Sequence, residues 1–127
     1  VLFAAGSCWE GVDFPGDMVS SLIIVRLPFP VPDPLSEAER EQYPTLQDYI
    51  KTVVIPDMQV KLRQGFGRAI RTETDTCVVS ILDHRAAPGE RYHKAVLETL
   101  PPIRITAKIE DVEDFIRAKK GPDYFVP

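Results

Sequence analysis

Short apolar segments of strand length alternate along this chain with segments of helical periodicity, and this alternation restricts the possible folds. The predicted strands cover residues 1–5, 20–27, 76–83 and 103–105. Continuous apolar runs of this length are typical of strands buried on both faces, as in parallel sheets. Parallel neighbours need long crossover connections, which the helical segments supply. The sequence therefore predicts a three-layer α/β domain with a mainly parallel sheet.

The helical segments carry apolar residues three and four positions apart, together with residues that favour helix starts. Ser36 is predicted to cap a short helix that Pro44 interrupts, and Pro56 is predicted to open the central helix as its first residue. The predicted helices cover residues 36–41, 45–53, 56–71, 92–100 and 111–117. The proline-spaced residues 28–34 are predicted to cross the surface in an extended form.

The composition fits a single domain over residues 1–127, with 44% hydrophobic and 27% charged residues. A net charge of −4 argues against a surface coated with basic charge for non-specific nucleic-acid binding. A local basic stripe is nevertheless predicted, because the chain between Met58 and Thr72 contains basic residues and no acid. These basic residues are Lys61, Arg63, Arg68 and Arg71.

Two cysteines, Cys8 and Cys77, are too few and too far apart to suggest a metal knuckle. A reduced setting inside the cell is therefore expected, the cytoplasm or, in a eukaryote, the nucleus. No apolar run approaches the roughly 18 residues of a spanning helix, so no membrane partner is predicted. The chain begins within an apolar strand pattern without a starting methionine, and we expect it to be a piece of a longer protein.

Residues 64–71, Gln-Gly-Phe-Gly-Arg-Ala-Ile-Arg, end the predicted central helix. At 3.6 residues per turn its polar side carries Lys61, Gln64, Arg68 and Arg71. Its apolar side carries Leu62, Phe66, Ala69 and Ile70. Two guanidinium groups on adjacent turns of a rigid helix are suited to bind phosphate. Gly65 and Gly67 each destabilise a helix interior by roughly 0.5–1 kcal/mol relative to Ala, which indicates close approach of a neighbouring backbone or a ligand. The alternative is an ordinary solvated surface helix.

Two segments resemble motifs of a known family. Residues 6–14, Gly-Ser-Cys-Trp-Glu-Gly-Val-Asp-Phe, are similar to motif V of superfamily 2 helicases of the XPD/DinG type, and residues 64–71 are similar to motif VI. The order of the two motifs also fits, and the resemblance is weakest over residues 30–56. It implies the second RecA-like domain of an ATP-driven motor that moves along single-stranded DNA and unwinds duplexes.

The motif VI resemblance implies a set of catalytic and ATP-binding residues. Arg68 and Arg71 would approach the γ-phosphate of ATP bound on the first RecA-like domain of the same protein, with Arg71 as the arginine finger. Gln64 would hydrogen-bond the phosphates or the attacking water. Gly67 would allow close approach to the nucleotide.

The motif V resemblance implies contacts to both nucleotide and DNA. Asp13 would bond the ribose or couple to metal-bound water, Gly11 would let the loop turn against the nucleotide, and Glu10 would link the loop to the arginines or the first domain. Ser7 and Trp9 would contact single-stranded DNA, through phosphate and by stacking respectively. Two alternatives stay open, since Trp9 could be a buried loop anchor and Asp13 a carboxylate that bonds nearby turn amides.

The sequence contains no Gly-Lys-Ser/Thr phosphate loop and no acidic box for magnesium, and we predict no metal site in this chain. By the resemblance, ATP and Mg²⁺ would be bound mainly by the first domain, and any iron–sulfur cluster would also lie outside this chain. Alone, the chain is expected not to hydrolyse ATP. The alternatives are a RecA-like module that binds nucleic acid or a partner protein without catalysis, and an unrelated doubly wound enzyme. Asp83, His84 and Arg85, at a predicted strand end, could form another site, although His84 fits a loop residue better.

Overall fold

The structure is a computed structural model that describes residues 19–72 and 74–125. Two parallel strands, β1 (Ser21–Ile24) and β2 (Val78–Ile81), pair with Ser21 opposite Val78 and Ile24 opposite Ile81. The helices are α1 (Pro34–Arg40), α2 (Leu46–Tyr49), α3 (Ile55–Ala69), α4 (His93–Thr99) and α5 (Ile109–Lys119). A π-helical turn (Ile50–Val54) joins α2 to α3, and 3₁₀ turns cover His84–Ala86 and Pro122–Phe125.

The predicted parallel pairing with a helical crossover is confirmed for β1 and β2, which α1, α2 and α3 separate along the chain. The predicted strand over residues 1–5 lies outside the described part of the chain. The prediction of a strand over residues 103–105 is wrong, because these residues form neither a strand nor a bridge. Ile103 and Ile105 are exposed, so this segment, which follows two prolines, gains no burial to offset the lack of a strand partner.

The core lies between the sheet and two helices, α3 and α4. Met58 and Leu62 of α3 are fully buried, and they pack in one cluster with Ile24 of β1 and Val96 of α4. Burying a side chain of this size contributes roughly 1.5–3 kcal/mol. The side chain of Gln59 also donates a hydrogen bond of 2.9 Å from its Nε2 to the carbonyl oxygen of Ala95. These contacts fix α3 on the sheet and hold it against α4.

The described residues show no helix on the opposite face of the sheet. Side chains alternate between the faces of a strand, so Ile23 and Val25 point away from the core that Ile24 enters. Ile23, Val25 and Leu82 are exposed. Within residues 19–72 and 74–125, helices are seen to pack on one face of the sheet, and the third layer stays a prediction.

Helix α1 begins two residues before the predicted cap. Asp33, not Ser36, is the N-cap, and its carboxylate accepts the backbone N–H of Ser36 at 2.7 Å. The Ser36 hydroxyl in turn accepts the N–H of Asp33 at 2.8 Å. This reciprocal pair is a capping box, and Pro34 fits the first turn, where no N–H partner is needed.

The predicted break between a helix from Thr45 and a helix opened by Pro56 does not occur. Thr45 is the N-cap of α2, at the predicted start of this helix, but the π-helical turn carries the helix on into α3. In this wider turn the N–H of Ile55 bonds to the carbonyl of Ile50, five residues earlier. Pro56 has no N–H to donate, and the change of hydrogen-bond register directly before it lets the helix continue.

Candidate functional site

The polar end of α3 is the first part of the candidate site, and the two sides of this helix are divided as the periodicity predicts. Leu62, Phe66 and Ala69 are buried against the rest of the domain. Gln64 is exposed on the other side, and Arg68 is half-buried. The helix therefore presents polar side chains from a support that is fixed in the core.

Arg71 lies beyond this helix, so the expectation of two guanidinium groups on adjacent turns of one helix is wrong. Helix α3 ends at Ala69, and Ile70 adopts an extended conformation with φ −133° and ψ 117°. Arg68 is thus carried by the helix, whereas Arg71 is carried by the turn that follows. The two residues are held by different pieces of backbone.

The turn after α3 is closed by the carboxylate of Asp75. Its Oδ2 accepts the backbone N–H groups of Arg71 and Thr72, each at 2.9 Å. Its Oδ1 accepts the hydroxyl of Thr72 at 2.8 Å. The hydrogen bond from the Arg71 N–H, followed by those from Thr72, lowers the pKa of Asp75, so the carboxylate is ionised when it makes these bonds.

Gly67 leaves an open surface on the same stretch of α3. It is exposed, and a Cβ atom added there would meet no heavy atom within 4 Å. The predicted close approach of a neighbouring backbone is therefore absent at Gly67 within the described residues. What the position offers is room for a ligand to reach the helix backbone.

The basic stripe is partly neutralised within α3 itself. Lys61 pairs with Asp57 one turn earlier, with 3.0 Å between Nζ and Oδ2. Asp57 lies just before the acid-free stretch, and the spacing of four residues brings the two side chains together. The Asp57 carboxylate therefore offsets the charge of Lys61 at the start of the predicted stripe.

A part-buried ion pair lies at the carboxyl ends of the strands, and this pairing is not among the sequence predictions, which name Asp83, His84 and Arg85 only as a possible site. Asp83 is buried, and its carboxylate accepts hydrogen bonds from Nε and Nη2 of Arg85 at 2.9 and 2.6 Å. It also accepts the N–H of Leu27, which follows β1, at 3.0 Å. The Arg85 guanidinium carbon lies 4.9 Å from the ring centroid of Phe29 and 5.9 Å from that of Tyr92.

The pKa values of Asp83 and Arg85 are shifted in the directions that favour the charged forms of both groups. The side-chain hydrogen bonds from Arg85 lower the pKa of Asp83 far below its usual range, and the same bonds raise the pKa of Arg85. Both groups stay charged at neutral pH, and the hydrogen bond from the Leu27 N–H to Asp83 joins the end of β1 to the end of β2. The sequence did contain a signal for this ion pair: an Asp directly after an apolar strand, followed two residues later by an Arg.

A cleft of about 410 Å³ opens beside this ion pair. Its lining residues follow the two strands: Val25, Arg26, Leu82, Asp83, His84 and Arg85. Ligands of open α/β sheets bind at the carboxyl ends of parallel strands, which is where this cleft lies. Arg26 and His84 are its exposed polar side chains apart from the Asp83–Arg85 pair.

The motif V residues Ser7, Trp9, Glu10, Gly11 and Asp13 lie outside the described residues, and their roles stay predictions. Within residues 19–72 and 74–125, no group of three or more His, Cys, Asp or Glu side chains could hold a metal ion. Across the same residues, no helix has the length and apolar character needed to cross a membrane.

The parallel strand pair and its helical crossover define an α/β domain. The polar end of α3 is its candidate site for contacting phosphate. The family model described as Helicase C-terminal domain matches residues 1–103. The chain therefore belongs to the helicase C-terminal domain family, which confirms the resemblance to DinG-type helicases.

Several curated proteins are similar to the chain. It is 41% identical over 106 residues to the ATP-dependent DNA helicase DinG of Photobacterium profundum, covering 82% of this chain and 15% of that protein. It is 41% identical over 122 residues to the ATP-dependent DNA helicase YoaA of Haemophilus influenzae, covering 94% and 19%. It is 34% identical over 123 residues to the 3′-5′ exonuclease DinG of Bacillus subtilis, covering 94% and 13%. The chain thus spans less than a fifth of the length of each of these relatives.

Proposed function

We propose that this chain is the second RecA-like domain of an ATP-dependent DNA helicase, completing an ATP site shared with the first RecA-like domain of the same protein. One observation carries the proposal: the exposed polar end of α3, open at Gly67, is followed directly by the turn that holds Arg71. Membership of the helicase C-terminal domain family supports it, as do the names of the DinG and YoaA relatives.

In this proposal the motif VI residues stabilise charge during phosphoryl transfer. Arg71 is the arginine finger that approaches the γ-phosphate, and Arg68 binds phosphate from the helix itself. Gln64, which is exposed, orients the attacking water or a phosphate oxygen. Phosphoryl transfer depends mainly on positioning and charge stabilisation, so a guanidinium delivered across a domain gap can raise the rate by about 10³–10⁵. Gly67 gives the nucleotide access to the helix backbone.

The motif V residues complete the proposed site. Glu10, Gly11 and Asp13 contact the nucleotide and couple it to the arginines, while Ser7 and Trp9 contact single-stranded DNA. The residues that the structure describes do not fit a magnesium site, since they contain no suitable cluster of acidic side chains. By the resemblance to DinG-type helicases, the ligands of Mg²⁺ would lie mainly in the first domain. A protein acting on DNA would work in the cytoplasm of a bacterium or the nucleus of a eukaryote.

The test is ATP hydrolysis by the full-length protein, with and without single-stranded DNA, compared with this chain alone. We expect DNA-stimulated turnover by the full-length protein and none by the chain alone. Arg71→Ala should lower kcat by about 10³–10⁵ while binding of a fluorescent ATP analogue is largely kept. Arg63→Ala is the matched control, because it removes an exposed arginine from α3 that has no proposed contact with ATP.

Two results would contradict the proposal. Turnover by the chain alone would mean that the catalytic site is not shared between domains. Full turnover in the Arg71→Ala protein would mean that α3 and its turn do not serve phosphoryl transfer. A RecA-like module that binds nucleic acid or a protein without hydrolysis would then be the better interpretation.

A further inference from the structure

The carboxylate of Asp75 organises the backbone from which Arg71 extends. One of its oxygens accepts the N–H groups of Arg71 and Thr72, and the other accepts the Thr72 hydroxyl. The N–H of Asp75 itself donates to the carbonyl of Thr72 at 3.2 Å. Four hydrogen bonds thus tie Asp75 to Arg71 and Thr72, the second and third residues after α3.

These bonds take the place of helical hydrogen bonds for the N–H groups of Arg71 and Thr72. The N–H of Ile70 still bonds to the carbonyl of Phe66, as in a helix, but its backbone is extended. The next N–H, that of Arg71, bonds to Asp75 instead of to a helical carbonyl. If this N–H returned to the helical pattern, Arg71 would become part of α3, and its side chain would project from the helix surface about 100° around the axis from that of Ile70, since a turn has 3.6 residues.

We propose that Asp75 is the positioning residue of the arginine finger: without touching ATP, it holds the backbone of Arg71 in the extended exit from α3. This inference rests on the proposed role of Arg71. It assigns no proton transfer and no phosphate contact to Asp75. Its carboxylate is occupied by backbone and hydroxyl donors, so its effect on turnover passes through the direction of Arg71.

The experiment uses ATP turnover and nucleotide binding by the full-length protein. Asp75→Ala should lower kcat by about ten- to a hundredfold with little change in the KM for ATP, because a small misplacement of a catalytic group has effects of this size. Asp75→Asn should keep most of the turnover, since its carbonyl oxygen can accept both N–H groups and its amide can donate to the Thr72 hydroxyl. Asp48→Ala is the matched control, because Asp48 makes a similar turn with Thr45 at the start of α2.

A double variant separates positioning from a general loss of structure. If Asp75 acts through Arg71, adding Asp75→Ala to Arg71→Ala should cause no further loss of turnover. The inference would be overturned if the kcat losses of the two single variants multiply in the double variant. It would also be overturned if Asp75→Ala keeps full kcat while Arg71→Ala has a strong defect. In that second case the proposed function would stand. Full turnover in Arg71→Ala would instead refute the proposed function, and this inference with it.

Discussion

Asp83→Ala is expected to lower the free energy of unfolding by about 3 kcal/mol, at the lower end of the range for breaking a buried ion pair. The carboxylate is the acceptor of four hydrogen bonds, one from the Leu27 N–H and three from Arg85. The change leaves the Leu27 N–H without this acceptor in a buried position, which alone costs about 1–3 kcal/mol.

The exposure of the Arg85 side chain is the reason for choosing the lower end of the range for a buried ion pair. It is 40% exposed, whereas the side chain of Asp83 is 4% exposed. Water can therefore solvate much of the guanidinium once its partner is gone, and the penalty for an unpaired charge is reduced. Most of the expected loss comes from the connection between the end of β1 and the end of β2, because Asp83 bonds to both.

Urea unfolding of the 127-residue chain at pH 7, followed by far-ultraviolet circular dichroism, measures this loss. We expect a lower midpoint with an unchanged slope. Glu113→Ala is the control, since it breaks an exposed pair with Arg117 on α5 and should change stability by less than about 0.5 kcal/mol. A loss from Asp83→Ala no larger than that of the control would refute the role of Asp83 as an anchor.

Two further predictions concern pH and Gly67. Folding lowers the pKa of Asp83, so its stabilisation is complete above the unfolded pKa of about 3.9 and is lost as the pH falls below it. Urea titrations should therefore show the wild-type chain and Asp83→Ala converging below about pH 4, and a constant difference would contradict this linkage. Gly67→Ala should stabilise the chain by roughly 0.5–1 kcal/mol, because its Cβ meets nothing and Ala favours helix. The same change should lower ATP turnover of the full-length protein, and unchanged turnover would exclude close approach of the nucleotide there.

The periodicity of α3 could be predicted because burial follows directly from it. Leu62 and Phe66 face the core and Gln64 faces solvent, as helical spacing requires. The residue at which α3 ends could not be predicted from this periodicity. Periodicity continues through Arg71, whereas the helix ends at Ala69 and the N–H of Arg71 bonds to the carboxylate of Asp75, which competes for backbone donors.

Other differences also come from contacts that a local pattern does not contain. The pairing of Asp83 with Leu27 joins residues 56 positions apart, and no spacing rule predicts such a contact. Residues 103–105, Ile-Arg-Ile, have a composition compatible with a strand, yet a strand also needs a free neighbouring edge and a buried face. The N-cap of α1 differs from these examples, because the local sequence does contain the signal. Asp33 directly before Pro34 is a recognisable helix start, although Ser36 is the predicted cap.

The way α3 is held restricts how an arginine finger on this domain could move. The middle of the helix is fixed by the fully buried Met58 and Leu62 and by the bond from Gln59 to α4, and its exit is fixed by Asp75. Withdrawing Arg71 by sliding the helix would expose this core and break these hydrogen bonds together. If Arg71 acts as proposed, the low-cost motion is therefore a displacement of the whole domain relative to the one that binds ATP, with the turn carried as a rigid part.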